Sequence, residues 1–432
     1  MTGQHLDNSI NVDNSSFNEL QTYYDNILNQ DKDTYKTSND ESTPINCVCE
    51  MVNKIPEELW NRNNLSILDP CCGNGNFFVV ILFKLLVKNN KKTILEDILL
   101  FNDINNDRLN NIRKIFCNEK YNLQITNEDF ITMEFDDKKY DLVVANPPYA
   151  KILKNGKRAS KNHNLIKIFV EKSLKLLKPE GYLLFITPDN WMSYADRNTL
   201  IKTITSLQVI HLDIHNAKKY FKKIGSSFTW YVIQNCESYK DISISGKWKK
   251  NKYECAVLSM KRNYIPLLYN SIVQSILSKT IDNVNIQKFH IETSSFLHRY
   301  TKSKYISSTE TETFKYKLIH TPKQTVYSSK PHKYQEGYKV FISLTSGYNV
   351  FIDNCGMTQS IAFVLCSDEE QAKFYSSILK HPLYVFINNI CRWGNFNNVR
   401  ILQHFPIPKD TENIYEYFNI TYNERQFIEN NI

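Results

Sequence analysis

The chain has 432 residues, 53 Lys and Arg against 45 Asp and Glu (a formal net charge of +8), and 42% hydrophobic residues. That length suits two or three domains, and that apolar content argues against a chain disordered throughout. No run of about 18 apolar residues is present to cross a membrane, and the polar, acidic start MTGQHLDNSINVDNSSFNEL is unlike a secretory signal, so a cytoplasmic protein is expected.

Residues 1–40 are polar, rich in Asn and Asp and without clear periodicity, and read as a mobile or loosely helical segment. From Leu65 an alternation begins. Apolar runs at 65–69, 98–103, 140–145, 182–187 and 209–214 read as strands, and amphipathic stretches at 77–88, 107–116, 163–177 and 189–206 read as helices. Apolar strands alternating with helices indicate α/β architecture, a doubly wound, mostly parallel sheet. The aromatic and β-branched run at 228–234 is expected to close it. Residues 41–239 therefore form one domain. After Tyr239 the alternation stops. ISISGKWKK, TFKYKLIH, YKVFISLTSGYNVFIDN and SIAFVLC read as strands or turns, and 369–380 as a helix, so 240–432 is expected to be a second domain of mixed α+β type.

Charge is unevenly spread. The first sixty residues hold eleven acids and three bases, a net −8, which leaves +16 on the rest. A basic body suits a polyanionic partner. The abundance of Lys, Asn, Ile, Tyr and Phe beside few Ala, Gly, Pro and Arg is also the skew of AT-rich coding, so charge alone does not decide. The ten cysteines, Cys47, Cys49, Cys71, Cys72, Cys117, Cys236, Cys255, Cys355, Cys366 and Cys391, include no C-x-x-C pair and no zinc-finger spacing with His. No metal site is expected, and buried thiols in a reducing compartment are.

Two motifs carry chemistry. Asp69-Pro70-Cys71-Cys72-Gly73-Asn74-Gly75-Asn76-Phe77 follows the first strand and opens a helix, where ligands bind in doubly wound sheets. Gly73 and Gly75 permit positive φ and close backbone approach, although a tight strand-to-helix turn would also use them. The spacing is not G-x-G-x-x-G, since Phe78 stands at the third glycine position, and no Lys-Ser/Thr follows to grip a phosphate. An acid at the end of the next strand, Asp103 beside Ile104, is placed for ribose hydroxyls. Farther on, Asp129 can accept from an adenine amine, with Phe130 against the ring.

The second motif is stronger. A buried strand, Asp141-Leu142-Val143-Val144-Ala145, runs directly into Asn146-Pro147-Pro148-Tyr149. Two prolines cannot extend the sheet and restrict the backbone, holding the Asn146 side chain and the Pro147 carbonyl in a fixed arrangement. A planar amine or amide is a poor nucleophile because its lone pair is delocalised. Two acceptors that bind both of its N–H groups free that lone pair, and Tyr149 can stack on a planar group. Positioning and electrostatics then suffice, without a conspicuous general base.

Together D-P-x-x-G-x-G-x-F, the acid of the second strand and N-P-P-Y resemble the gamma class of S-adenosylmethionine-dependent N6-adenine DNA methyltransferases of type II restriction–modification systems, over roughly residues 43–235. The resemblance implies a Rossmann-like methyltransferase domain followed by a target-recognition domain. It also implies S-adenosylmethionine as cofactor and methyl transfer to an adenine flipped out of double-stranded DNA. Implied cofactor contacts are Asp69, Pro70, Gly73, Gly75, Phe77, Asp103, Ile104, Asp129 and Phe130, with Thr43 and Pro44 at the methionine end. Implied catalytic residues are Asn146, Pro147, Pro148 and Tyr149, with Phe221 (Tyr220 as runner-up) stacking on the flipped base from the segment 219–228.

Lys247–Tyr253 and Lys330–Tyr334 interleave bases with aromatics, as phosphate-tracking surfaces do. Trp393–Val399 and Pro406-Ile407-Pro408 resemble the end of such enzymes. A monomer with a separate cognate restriction endonuclease is expected. About forty residues precede the cofactor domain, too few for a nuclease core. Two other readings stay open: an RNA adenine or release-factor glutamine N-methyltransferase using the same N-P-P-Y chemistry, and a silent DNA-binding relative. The large C-terminal region speaks against a glutamine enzyme, and the intact motifs speak against a silent protein.

Overall fold

The short strands owe their burial to sequence. Tyr140–Ala145 reads Tyr-Asp-Leu-Val-Val-Ala and is buried at every position, as a parallel strand covered on both faces requires. In the computed structural model, which describes residues 10–30, 41–149, 164–196, 199–221, 227–257, 262–345, 347–409 and 413–432, such strands assemble a nine-stranded sheet. In chain order they are β1 (Ile67–Asp69), β2 (Leu99–Asn102), β3 (Gln124–Thr126), β4 (Tyr140–Ala145), β5 (Leu177–Pro188), β6 (Leu207–Ile214), β7 (Phe228–Glu237), β8 (Ile242–Trp248) and β9 (Asn251–Val257).

Their order is β3-β2-β1-β4-β5-β7-β6-β8-β9. The run β3-β2-β1-β4-β5 is parallel, whereas β7 is antiparallel to both β5 and β6. The sheet is thus mostly parallel, with β7 and the edge strand β9 reversed. Strand order reverses its direction of growth between β1 and β4. Their carboxyl ends lie side by side there, at the switch point where doubly wound sheets bind ligands.

The chain divides into two units, residues 1–189 with 199–261, and 190–198 with 262–432. This differs from the boundary expected at 239/240. The hairpin β8–β9, read as the start of a recognition domain, extends the first sheet, with β8 parallel to β6. A buried polar ladder fastens it. Ser245 Oγ donates to Asp213 Oδ1 at 2.9 Å, and His211 bridges Ser243 Oγ at 2.9 Å and Ser245 Oγ at 3.0 Å. Because Ser245 spends its proton on Asp213, it accepts from His211 Nε2–H, and Nδ1 accepts from Ser243. The stretch 189–206 is likewise not one helix: it holds a 3-10 turn, Asp189–Met192, which passes into the second unit after Asp189, and a helix, Leu200–Thr205, in the first.

Of the polar leader, residues 10–30 are folded against the first unit. Ser16 caps the helix Phe17–Tyr23 in a capping box with Glu19. The Phe17 ring packs on Phe83 with centroids 5.3 Å apart, and Leu20 and Tyr24 are fully buried. Each such side chain is worth about 2 kcal/mol of burial, enough to hold a segment whose composition alone reads as loose. Residues 1–9 and 31–40 lie outside the described residues.

The second unit holds two four-stranded sheets, the first wholly antiparallel and the second mixed. One orders Glu292–Thr293, Ile361–Leu365, Lys339–Ser343 and Val350–Asp353; the other orders Ile306–Ser307, Gln324–Ser328, Tyr316–Thr321 and Gly356–Met357. The helix Glu369–Lys380 forms where its periodicity placed it, capped by Asp368. Lys339 is fully buried, its Nζ donating to the carbonyls of Glu336, Gly337 and Asn354 at 2.9, 2.6 and 3.1 Å. The terminal motif acts as a clasp in this unit. Asn397 Nδ2 donates to the carbonyls of Ser343 and Gly347, and Trp393 Nε1 to that of Ile265. Among the described residues no helix is long and apolar enough to cross a membrane.

Candidate active site

The turn after β1 is built mainly of backbone. Asp69 ends the strand 1% exposed, its Oδ1 accepting the Cys71 amide at 3.1 Å. Burial, reinforced by the nearby Asp103 charge, pushes its carboxyl well above the usual range. Gly73 and Gly75 sit at φ +56° and +84°, in the left-handed region. A Cβ on Gly75 would lie 2.6 Å from Ile112 Cδ1 and 2.8 Å from Phe116 Cε2, so this glycine also lets the helices Asn76–Leu85 and Asn106–Ile115 approach. Among the described residues a Cβ on Gly73 would meet only Arg108 Nη1, at 4.0 Å, which leaves open space over that residue.

Asp103, just past β2, reaches across to this turn. Its Oδ2 accepts the Gly73 amide and its Oδ1 the Asn105 amide, both at 2.8 Å. Three side chains from outside the motifs, Tyr24, Asn102 and Asn111, fasten the same turn, and Asn76 within it reaches outward. Tyr24 donates its hydroxyl to the Asn74 carbonyl at 2.7 Å, and Asn111 Nδ2 donates to Asn74 Oδ1 at 3.1 Å. Asn102 Nδ2 donates to the Pro70 carbonyl at 2.9 Å, and Asn76 Nδ2 to the Thr43 carbonyl at 2.8 Å. Spacing could not single these out: asparagine is common throughout the chain, and Tyr24 comes from the leader.

The second loop follows β4, directly beside the first. Asn146 Nδ2 donates to the Glu41 carbonyl at 2.9 Å and to Thr43 Oγ1 at 3.1 Å, while its Oδ1 accepts the Tyr149 hydroxyl at 2.7 Å. Pro147 is buried and Pro148 exposed. The Cys71 thiol reaches the Asn146 carbonyl at 3.6 Å and ties the two loops together. Asp141, inside β4, anchors the strand with Lys178 at 2.6 Å and Arg62 at 3.2 Å. Burial acts to raise that carboxyl, but these cations and the Ser66 amide outweigh it and hold it low.

Several expected site residues have a different setting. Thr43, expected against a cofactor's methionine end, is 3% exposed and accepts from Asn146; Pro44 caps the helix Ile45–Val52. Phe77 is 4% exposed within the main core, and Phe130, expected on an adenine ring, is buried at 2% against Phe135 and Phe169, with centroids 5.7 and 5.0 Å away. Asp129 is exposed and caps its own turn through the Ile131 amide at 3.0 Å. Ile104 is 58% exposed beside Asp103. Phe221, expected to stack on a base, is 4% exposed against Phe228 at 4.7 Å, and Phe228 in turn faces Tyr149 at 5.8 Å. Residues 222–226 of that segment lie outside the described residues.

The arrangement joins an open glycine turn with buried carboxylates to a rigid amide and an aromatic cluster. Residues 58–221 match the family model of Eco57I restriction-modification methylases. The chain is similar to the type II methyltransferase M.VspI of Vibrio sp. (strain 343), 26% identical over 185 residues, 39% of this chain and 42% of that protein. It is also similar to an uncharacterized adenine-specific methylase of Mycoplasma pneumoniae (strain ATCC 29342 / M129 / Subtype 1), 28% identical over 163 residues, 36% of this chain and 37% of that one. The chain spans less than half the length of these curated relatives. Its fold is similar to that of the ATP-dependent Type ISP restriction-modification enzyme LlaBIII bound to DNA, with a TM-score of 0.56 at 13% identity, covering 96% of this chain and 41% of that one.

Proposed function

We propose that this chain is a DNA adenine-N6 methyltransferase with S-adenosylmethionine as its cofactor and double-stranded DNA as its partner, acting as a monomer. The observation that carries the reading is the adjacency of the two loops. The glycine turn and Asn146 stand at the carboxyl ends of neighbouring strands, joined by the Cys71–Asn146 contact. The methyltransferase relatives supply the reaction class, and the adenine-specific methylase among them the base.

The residues present fit the cofactor. Open space over Gly73 admits a ligand close to backbone, Asp103 brings a buried carboxylate to the turn, and exposed Ile104 offers an apolar face. When bound, S-adenosylmethionine supplies an electrophilic methyl group. The chain's own contribution is to prepare the acceptor. Asn146 Oδ1 and the Pro147 carbonyl take the two N–H groups of the target amine and return its lone pair to nitrogen. Tyr149, whose hydroxyl already holds Asn146 Oδ1, supplies a ring face for the base. Orientation is the larger part of such catalysis, and an adenine within a duplex reaches this loop only after leaving the stack.

The test is a transfer assay. Purified protein with labelled S-adenosylmethionine is offered unmethylated genomic DNA, RNA and a release factor in parallel. Label in DNA is expected. Label in RNA or release factor, with none in DNA, replaces this reading by the corresponding alternative.

A further inference from the structure

The segment before the helix Ile45–Val52 contacts both loops of the site through one residue. Pro44 holds its own backbone at φ −56° and ψ 143° and keeps Thr43 out of helical geometry. From there the Thr43 carbonyl accepts Asn76 Nδ2 at 2.8 Å, at the first turn of the helix leaving the glycine turn, and Thr43 Oγ1 accepts Asn146 Nδ2 at 3.1 Å. Asn76 is 5% exposed, so this is a nearly dry bridge.

The direction of these bonds has a chemical consequence. A carboxamide has one accepting and one donating end, and a half-turn exchanges them. If Asn146 flipped, its NH2 would face the target amine, two donors would meet, and the nitrogen lone pair would stay in the ring. The Glu41 carbonyl can only accept and so demands a donor from Asn146, whereas Thr43 Oγ1 and the Tyr149 hydroxyl, which can donate or accept, accept from Nδ2 and donate to Oδ1 respectively in the unflipped orientation. The carbonyl selects the orientation that leaves Oδ1 facing the amine, and the two hydroxyls hold the amide in it.

We propose that Thr43 is a positioning residue for methyl transfer. Its hydroxyl oxygen holds the Asn146 amide in the orientation that the Glu41 carbonyl selects, with Oδ1 as the acceptor, while its carbonyl ties that amide to the helix of the cofactor turn. This rests on the reading of Asn146 as the amine acceptor and goes beyond it by assigning the group that orients it. Expected effects are on turnover, not on cofactor affinity.

The experiment uses the full chain with Thr43→Val, which keeps the shape and removes the acceptor, Thr43→Ala as a second removal should the valine variant fail to fold, and Thr43→Ser, which restores the hydroxyl. Turnover is measured on unmethylated DNA at saturating S-adenosylmethionine, cofactor affinity by calorimetry, and the Asn146 side-chain NH2 signals by 15N NMR, identified by their loss in Asn146→Ala. The valine variant should lose about tenfold in kcat, the equivalent of one hydrogen bond's orientation, with unchanged cofactor affinity. Its Asn146 NH2 signals should shift, and serine should recover most of the rate. Unchanged kcat, or a loss confined to cofactor affinity, overturns the proposal. If the wild-type chain transfers no methyl to DNA, the functional reading fails, and the NMR arm still decides the amide's orientation: NH2 signals identical in wild type and valine variant overturn it.

Discussion

The two loops of the site reach rigidity by opposite means. The glycine turn has little side-chain matter of its own, and its shape is imposed by groups brought from elsewhere: Tyr24 from the leader, Asn102 and Asp103 from the end of β2, Asn111 from the following helix. The Asn-Pro-Pro-Tyr loop carries much of its restraint in its covalent structure, two prolines, and takes outside contacts at Asn146 and at the Tyr149 ring. A surface that must lie open to a ligand is held from behind by distributed hydrogen bonds. A surface that must present two acceptors in fixed relation is stiffened in place. The first kind should degrade gradually under substitution, and the second abruptly.

The sharpest test of that contrast is Asn146→Ala. It removes one of two acceptors and should lower methyl transfer by on the order of 100-fold or more, while calorimetry finds cofactor binding intact. A comparable loss of binding would merge the two loops into one functional element. Next in size is Gly75→Ala, which meets Ile112 and Phe116 at under 3 Å from a positive φ. It should cost about 2–3 kcal/mol of unfolding free energy in urea melts and weaken the cofactor; a neutral effect would mean that the two helices yield freely.

A change remote from both loops serves as control. Burial, aided by the Lys54 charge, depresses His211 from its ordinary 6.5 to about 3. Its folded value lies below its unfolded value, so the unfolded chain binds the extra proton and stability falls as pH drops below 6.5 towards 3. Asp213, raised to about 6 by burial, works in the opposite sense: stability it contributes at low pH is lost as pH rises from 3.8 to 6. His211→Gln should therefore lose less stability than wild type between pH 6.5 and 5, by about 2 kcal/mol, with turnover at pH 7.5 little altered. Identical pH slopes would remove His211 as the source. The smallest effect is expected of Tyr24→Phe, about 1 kcal/mol from one buried hydrogen bond. Its signature is a modest rise in cofactor Kd with kcat preserved; a fall in kcat instead would break the separation of the loops.

How much of this was legible follows from the same physics. Apolar strands flanked by amphipathic helices, and prolines and glycines at strand ends, are local signals, so the parallel sheet and both loops could be read. What was not legible depends on long-range partners. Phe130 and Phe221 are aromatic residues at plausible places, yet each lies against rings that no spacing rule connects to it. Thr43 was singled out as a cofactor contact, and only its 3.1 Å approach to Asn146, 103 positions away, gives it another task. The β8–β9 hairpin reads as basic and aromatic, but its membership of the first sheet is decided by the buried ladder of His211, Asp213 and Ser245.

The central claim is that Asn146, held beside the glycine turn, prepares an adenine amine in DNA for methylation. Its most direct test is nucleoside analysis, by mass spectrometry, of unmethylated DNA after incubation with S-adenosylmethionine and either the wild-type chain or Asn146→Ala. N6-methyldeoxyadenosine should accumulate with the wild type and stay at background with the variant. Equal accumulation with both proteins, or no N6-methyldeoxyadenosine from a folded, cofactor-binding wild-type chain, would contradict it.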